Sequence, residues 1–186
     1  MSFWGQLVFA RSDGPLQEAP VFAHLEDDAE TWEEREGGWQ LLALHRAEWD
    51  EDFLPSLVEW TGAPALVAQV ADNDTAFVRG LDGEGRTWET WLNPDQAAGL
   101  LIERPEDIED DLDWLESPEF HEALARERAE LDAEIPEAAR AAAAWATTAG
   151  VPTPPQTAPI EQLLRAKEDF AGEHLPTLLD RLGFPE

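Results

Sequence analysis

The chain contains no cysteine, no tyrosine and a single lysine. Without cysteine there are no disulfides, no thiolate metal ligands and no cysteine nucleophile, and no redox compartment can be read from bridges. The absence of tyrosine removes one common acid–base side chain. Serine is scarce as well: there are four, none within a Gly-x-Ser-x-Gly elbow, so a hydrolase of that type has no support. His24, His45, His121 and His174 stand far apart with no i,i+4 pair, which excludes the helical zinc-protease motif. Gly80, Gly83 and Gly85 surround a turn that lacks a Lys-Ser/Thr and a following helix, which excludes a phosphate loop. No apolar run approaches the ~20 residues of a membrane span. The opening Met1-Ser2-Phe3-Trp4-Gly5 has no basic region ahead of an apolar run, so a secretory signal is not expected and a cytoplasmic protein is.

Positive charge is the largest deficit. Forty-one acids face 12 bases, for a net charge of −29 and a pI near 4.1. Residues 1–101 hold 20 acids and 5 bases, and residues 102–186 hold 21 and 7, so no acidic tail is appended to a neutral domain. Such a charge repels nucleic-acid phosphates and anionic membranes and attracts basic partners. Direct nucleic-acid binding and membrane binding are therefore not expected, whereas a basic protein partner is. A competing explanation stands beside this one. Arginine outnumbers lysine eleven to one, and Ala, Glu, Asp and Pro abound, the signature of a GC-rich coding sequence. An acidic proteome raises the charge with no function attached.

What is present is enough to fold. Hydrophobic residues make up 43% of the chain, with nine tryptophans and eight phenylalanines, too apolar for a disordered polymer. At 186 residues, one domain or one domain with a helical extension is expected.

Pro64 to Leu92 organises the rest. Ala65–Ala71 is an apolar run with two valines, short enough for a strand covered on both faces. Asp72-Asn73-Asp74 suits a reversal, because these side chains bond their own backbone and tolerate left-handed dihedrals. Thr75–Leu81 forms a second strand, Asp82-Gly83-Glu84-Gly85 a second turn of tight-hairpin type, and Arg86–Leu92 a third strand. A period of two places Trp88, Thr90 and Leu92 on one face and Thr87, Glu89 and Trp91 on the other, so the two tryptophans serve different surroundings. Residues 3–11 and 39–46 read as further strands. The fold class is thus α+β, with an antiparallel sheet of about five strands at 3–11, 39–46, 65–71, 74–81 and 86–92.

Helices are expected to cover that sheet. Asp50 or Asp52 caps a helix over Phe53–Thr61, which closes at Gly62. Asn93 and Pro94 open another, reaching Ile102. Glu26–Glu36 holds seven acids around Trp32 and reads as an exposed helix or a loop. Glu103–Glu119 holds nine acids, and Ile108, Leu112 and Leu115 fall on one helical stripe within it. Ser117-Pro118-Glu119 starts a helix that runs to Pro136, with Glu122–Arg126 and Arg128–Asp132 at ion-pair spacing. An alanine-rich helix carrying Trp145 then extends to Gly150. Val151–Pro159 is an extended connector. Ile160, Leu163, Leu164 and Phe170 mark one further helix, and Leu175, Leu178, Leu179 and Leu182 the last. This divides the chain into a sheet domain at 1–102 and a helical part at 103–186, packed together because each stripe needs a partner.

Few constellations suit chemistry. Asp72 and Asp74 are the one carboxylate pair at a spacing that suits Mg²⁺ or Mn²⁺, and a hairpin turn is the simpler reading of the same residues. His45 aligns with Trp39, Leu41 and Ala43, as a hydrogen-bonded structural histidine would. Tryptophans among acids suit a flat, electropositive partner. Trp32, Trp49, Trp114 and one of Trp88 and Trp91 qualify. The candidate interaction residues are Trp32, Glu33, Glu34, Asp110, Asp111, Asp113 and Trp114.

FWGQLVFARSDGPL at the start, and TGAPALVAQVADNDTAFVRGL followed by Trp and Leu-Asn, resemble a group of uncharacterised actinomycete proteins over about residues 1–101. The resemblance implies a GC-rich source and carries no activity or site. Three functions remain: an immunity- or inhibitor-like acidic protein that binds a basic partner without catalysis, a small metal-assisted enzyme using Asp72 and Asp74, and an accessory protein with no site.

Overall fold

The computed structural model describes residues 3–45, 50–167 and 171–186. Six antiparallel strands form one sheet: β1 (Gly5–Arg11), β2 (Ala29–Arg35), β3 (Trp39–His45), β4 (Ala65–Ala71), β5 (Thr75–Leu81) and β6 (Thr87–Leu92), in the order β2-β3-β1-β4-β5-β6. The expected meander is present as β4-β5-β6. Its first turn places both Asp72 and Asn73 at positive φ (50° and 66°), and Asp74 N–H donates to Ala71 O at 3.2 Å. The backbone twist of such a turn matches that of the paired strands. The second turn is longer than a tight hairpin. Leu81 pairs with Thr87, five residues intervene, and the positive φ falls at Gly85 rather than at Gly83.

One strand was not expected. Ala29–Arg35 is neither helix nor loop but the edge strand β2, which pairs with β3 through a bulge at Trp32. Charges and a bulge are how an exposed sheet edge avoids pairing with other chains. Arg46 and Trp49 lie outside the described residues, as does Phe170.

Strand parity divides the sheet's side chains between two cores. Leu7, Phe9, Trp39, Leu41, Ala43, Leu66, Ala68, Val70, Val78, Trp88 and Leu92 face one side, where α4 (Pro118–Ala149), α5 (Thr157–Arg165) and α6 (Ala171–Arg181) cover them. Val8, Ala10, Leu42, Leu44, Ala65, Val67 and Leu81 face the other. There they meet α1 (Phe53–Thr61) and a run of 3₁₀ turns that contributes Leu16, Ala19 and Phe22. Gly62 ends α1 at φ 68°, as expected of a C-cap glycine.

The helices depart from expectation in three places. First, α2 (Pro94–Leu101) starts as read, but Asn93 is itself left-handed, and its side-chain amide donates to Asp74 O at 2.7 Å instead of capping the helix. Second, the acidic stretch after α2 makes no long stripe. It is irregular to Asp110, followed by the six-residue α3 (Asp111–Glu116). Third, α4 runs unbroken from Pro118 to Ala149. Proline inside a helix costs about 3 kcal/mol, yet Leu131 and Ile135 before Pro136 are buried on the same packed face as Ala139, Ala142 and Trp145 after it. That burial holds the helix through the proline. The i,i+4 partners are exchanged as well: Arg128 lies 3.5 Å from Asp95 on α2, and Asp132 accepts from Arg165 at 2.8 Å on α5 (Thr157–Arg165).

A buried arginine ties the edge strand to the last helix, α6 (Ala171–Arg181). Arg35 donates to Asp180 at 2.7 Å, to Phe184 O at 2.9 Å and to Pro176 O at 3.2 Å. Its Nε lies 2.5 Å from Glu33, an ion pair rather than an aligned hydrogen bond. No helix among the described residues is long and apolar enough to cross a membrane.

Candidate functional site

The acidic stretch from Leu100 to Glu119 departs most from an ordinary soluble surface. Leu100 and Leu101 end α2 at 61% and 41% exposure, and Leu112 and Leu115 stand on α3 at 68% and 48%. Between and beside them lie Glu103, Glu106, Asp107, Glu109, Asp110, Asp111, Asp113 and Glu116. The local sequence dictates this arrangement. Asp110 caps α3 by accepting from Leu112 N–H at 2.8 Å. Seven residues later Ser117 ends α3, donates to Trp114 O at 2.7 Å, and caps α4 through Phe120 N–H at 3.1 Å. Two caps so close together leave α3 a single apolar face turn. Trp114 takes it, stacking edge-on against Phe120 at 5.5 Å. Leu112 and Leu115 are left in solvent.

Trp114 therefore does not stand at the surface. It is 8% exposed and belongs to the packing of α3 on α4. Asp110, Asp111 and Asp113 are exposed, with Arg104 paired to Asp111 and also donating to Glu109 O at 3.3 Å.

Trp32, Glu33 and Glu34 lie elsewhere, on β2 at the opposite edge of the sheet from β6. Trp32 is 40% exposed and tilts against Phe3 at 5.1 Å, and its indole N–H donates to Glu30 at 3.3 Å. Phe3 in turn meets the His45 ring at 5.2 Å, and His45 Nε2 lies 3.4 Å from the same Glu30 carboxylate. Glu33 is committed to Arg35, while Glu34 is exposed. The two acidic stretches do not converge on one spot. Trp88 and Trp91 separate as parity required: Trp88 is buried under α4 against Trp145, whereas Trp91 is half-buried against Phe77 at 4.9 Å.

Asp72 and Asp74 are exposed residues of the β4–β5 turn. Among the described residues no group of three or more His, Asp or Glu side chains is placed to hold a metal ion. The most strongly held carboxylate is Asp82, in the β5–β6 turn. It is 4% exposed and accepts from the backbone N–H groups of Glu84 (2.9 Å) and Arg86 (3.0 Å) and from Arg86 Nε (2.8 Å). Burial alone would push its pKa up, but these hydrogen bonds and the Arg86 charge outweigh it and hold the pKa below the usual 3.8. Its bonds are satisfied within the turn, so its role is to fix that turn.

The sequence reading did not anticipate a shallow groove of about 340 Å³ on the face of β4–β6 that α1 leaves open, lined by Trp4, Gln69, Ala71, Phe77 and Trp91. The signal was available. Trp4, Phe77 and Trp91 share the parity of Val8, Val67 and Leu81, and helices cover them only in part, with Trp91 against Ala97, Ala98 and Leu131.

The chain matches no family model, no curated protein and no solved structure.

Proposed function

We propose that this is a non-catalytic interaction protein of the immunity or inhibitor kind, which binds a basic protein partner through its acidic stretch at 100–119. The observation that carries the reading is the exposure of Leu100, Leu101, Leu112 and Leu115 among acids. Charge alone fits an acidic proteome equally well. Background composition does not explain four large apolar side chains in solvent within one short segment, whereas clustered exposed apolar groups rimmed by polar ones mark contact surfaces. The acids supply steering, raising the encounter rate with a cationic surface and rejecting anionic ones. The leucines supply the area that turns an encounter into a complex.

The test is capture from host lysate at low salt with a salt-gradient elution, run in parallel on wild type and on Leu112→Ser/Leu115→Ser. One basic protein released at a high-salt step, and lost from the variant, supports the reading. A mixture of ribosomal and nucleoid proteins shed early and equally from both would refute it.

A further inference from the structure

The open face of β4–β6 carries three aromatic rings: Trp4 stands largely in solvent, and Trp91, beside Phe77, also packs against Ala97, Ala98 and Leu131 of α2 and α4. Trp4 is 57% exposed, and Phe77 and Trp91 are half-buried, their rings 4.9 Å apart and tilted by 45°. They line one side of the groove with Ala71, and Gln69 is its exposed polar floor. Beside it, α1 and the 3₁₀ turns bury Val8, Ala10, Val67 and Leu81 on the same sheet face, and α4–α6 pack on the opposite one.

Charge selects the occupant. The turn at the groove's end carries Asp72 and Asp74, both exposed, and no cation is paired with either among the described residues. Arg79 is the neighbouring base on this face. It lies 5.5 Å from the Phe77 ring centre and is neutralised by Glu89 at 3.1 Å. One guanidinium thus already rests against this aromatic row, which shows that the row accepts one. A second copy of the chain brings another −29 charges and is repelled, as is any nucleic acid. A chain of opposite sign is attracted, and indole faces bind guanidinium groups by cation–π contact and stacking.

We propose that the groove between Trp4 and the Phe77–Trp91 pair receives an arginine side chain from a basic segment of a protein partner, with Asp72 and Asp74 holding its charge. This rests on the reading of a basic partner and adds a second contact point for it, away from residues 100–119. Arginine is favoured over lysine because a planar guanidinium stacks on a ring, whereas a hydrated ammonium does not.

The experiment titrates the 186-residue chain into a short fluorescent Arg-Gly peptide, its Lys-Gly counterpart and an uncharged control at low salt, reading anisotropy. The chain is used as wild type, as Trp4→Ala, as Asp72→Asn/Asp74→Asn and as Asp110→Asn/Asp111→Asn/Asp113→Asn. Trp4 is largely in solvent, so its variant is expected to melt with wild type, and a melting curve checks this. The proposal expects tighter binding of the arginine peptide than of the lysine peptide, and roughly a 3- to 5-fold loss in Trp4→Ala. It also expects the indole N–H resonances of Trp4 and Trp91 to shift on titration. If the arginine peptide binds and only the Asp110/Asp111/Asp113 variant weakens it, with Trp4 and Trp91 resonances unmoved, the groove is overturned while the acidic-surface reading stands. If neither basic peptide binds wild type, both are overturned. Concentration-dependent self-association abolished by Trp4→Ala would overturn the proposal by giving the groove to a second copy.

Discussion

Replacing Gly80 by alanine should be among the most damaging single-methyl additions this chain can suffer. A Cβ at that position would lie 2.0 Å from Trp88 Nε1, 2.6 Å from Cε2 and 2.8 Å from Cδ1. Ordinary contact between such atoms begins near 3.5 Å, so the indole must retreat by about 1.5 Å. It cannot do so alone. Trp88 is 4% exposed and meets Trp145 edge-on at 5.9 Å, and Trp145 donates its own N–H to Leu81 O at 3.1 Å. Overpacking a rigid pair in a closed core falls at the top of the usual range, about 3 kcal/mol. For a domain of this size that lowers the melting temperature by roughly 6–12 °C. The assay is urea denaturation followed by tryptophan fluorescence, on Gly80→Ala, Trp88→Leu and the double variant. Trp88→Leu alone should cost about 2–3 kcal/mol through the space it opens. In the double variant the added methyl fills part of that space, so the two penalties should fail to add by about 3 kcal/mol. A Gly80→Ala protein as stable as wild type, or a strictly additive double variant, would refute the placement of Trp88 over Gly80.

Three further outcomes follow from the same structure. Arg35→Ala should cost about 2–3 kcal/mol, since it removes a buried guanidinium whose three hydrogen bonds, one of them to the half-exposed Asp180, join β2 to α6. Arg35→Lys should recover less than half, because one ammonium cannot reach Asp180, Pro176 O and Phe184 O together, as urea melts would show. Asp82 has a depressed pKa in the folded state, so its contribution is present above the unfolded value of 3.8 and lost as pH falls through the folded one. The stability gap between wild type and Asp82→Asn should accordingly be constant from neutral pH to about 5 and shrink below about 4. A gap that widens with acid contradicts the assignment. On α3, Trp114→Ala should lower stability by about 2–3 kcal/mol, whereas Leu112→Ala should stay within about 0.5 kcal/mol. Equal effects would mean that α3 turns its other face inward.

The meander from Ala65 to Leu92 was legible in the sequence because its strands are buried enough for apolar runs to show and its turns use Asp, Asn and Gly. The edge strand β2 was hidden by the physics of edges. It needs no apolar alternation, it gains from charge, and the bulge at Trp32 breaks what period remains. Pro136 read as a break because propensity is local, while the burial on both sides that carries α4 through it is tertiary. The stripe of Ile108, Leu112 and Leu115 failed for a related reason. Periodicity predicts a face but not a length, and the caps at Asp110 and Ser117 cut α3 to less than two turns. That truncation exchanged the expected roles, burying Trp114 and exposing Leu112 and Leu115. Asp110, Asp111, Asp113, Trp32 and Glu34 stand in or near solvent, as surface acids and an edge tryptophan should. The aromatic groove escaped notice because its three members come from Trp4, β5 and β6, and only strand register brings them together.

The position of β1 has a consequence for how the chain is made. The first strand to be synthesised lies inside the sheet, between β3 and β4, and its Phe9 packs against Phe184 at 4.9 Å. When β6 has left the ribosome the sheet can already pair, and α1 can cover one side. The other side, with Leu7, Phe9, Leu41 and Leu66, stays bare until α4, α5 and α6 arrive. At ordinary translation speeds that interval lasts roughly 5–20 seconds. Throughout it an apolar sheet face is open to every neighbouring nascent chain on the same message. By then residues 1–101 already carry 20 acids against 5 bases, and like charge keeps such half-made copies apart. The same acidity that sets the net charge thus opposes contact between bare sheet faces while the chain is still incomplete.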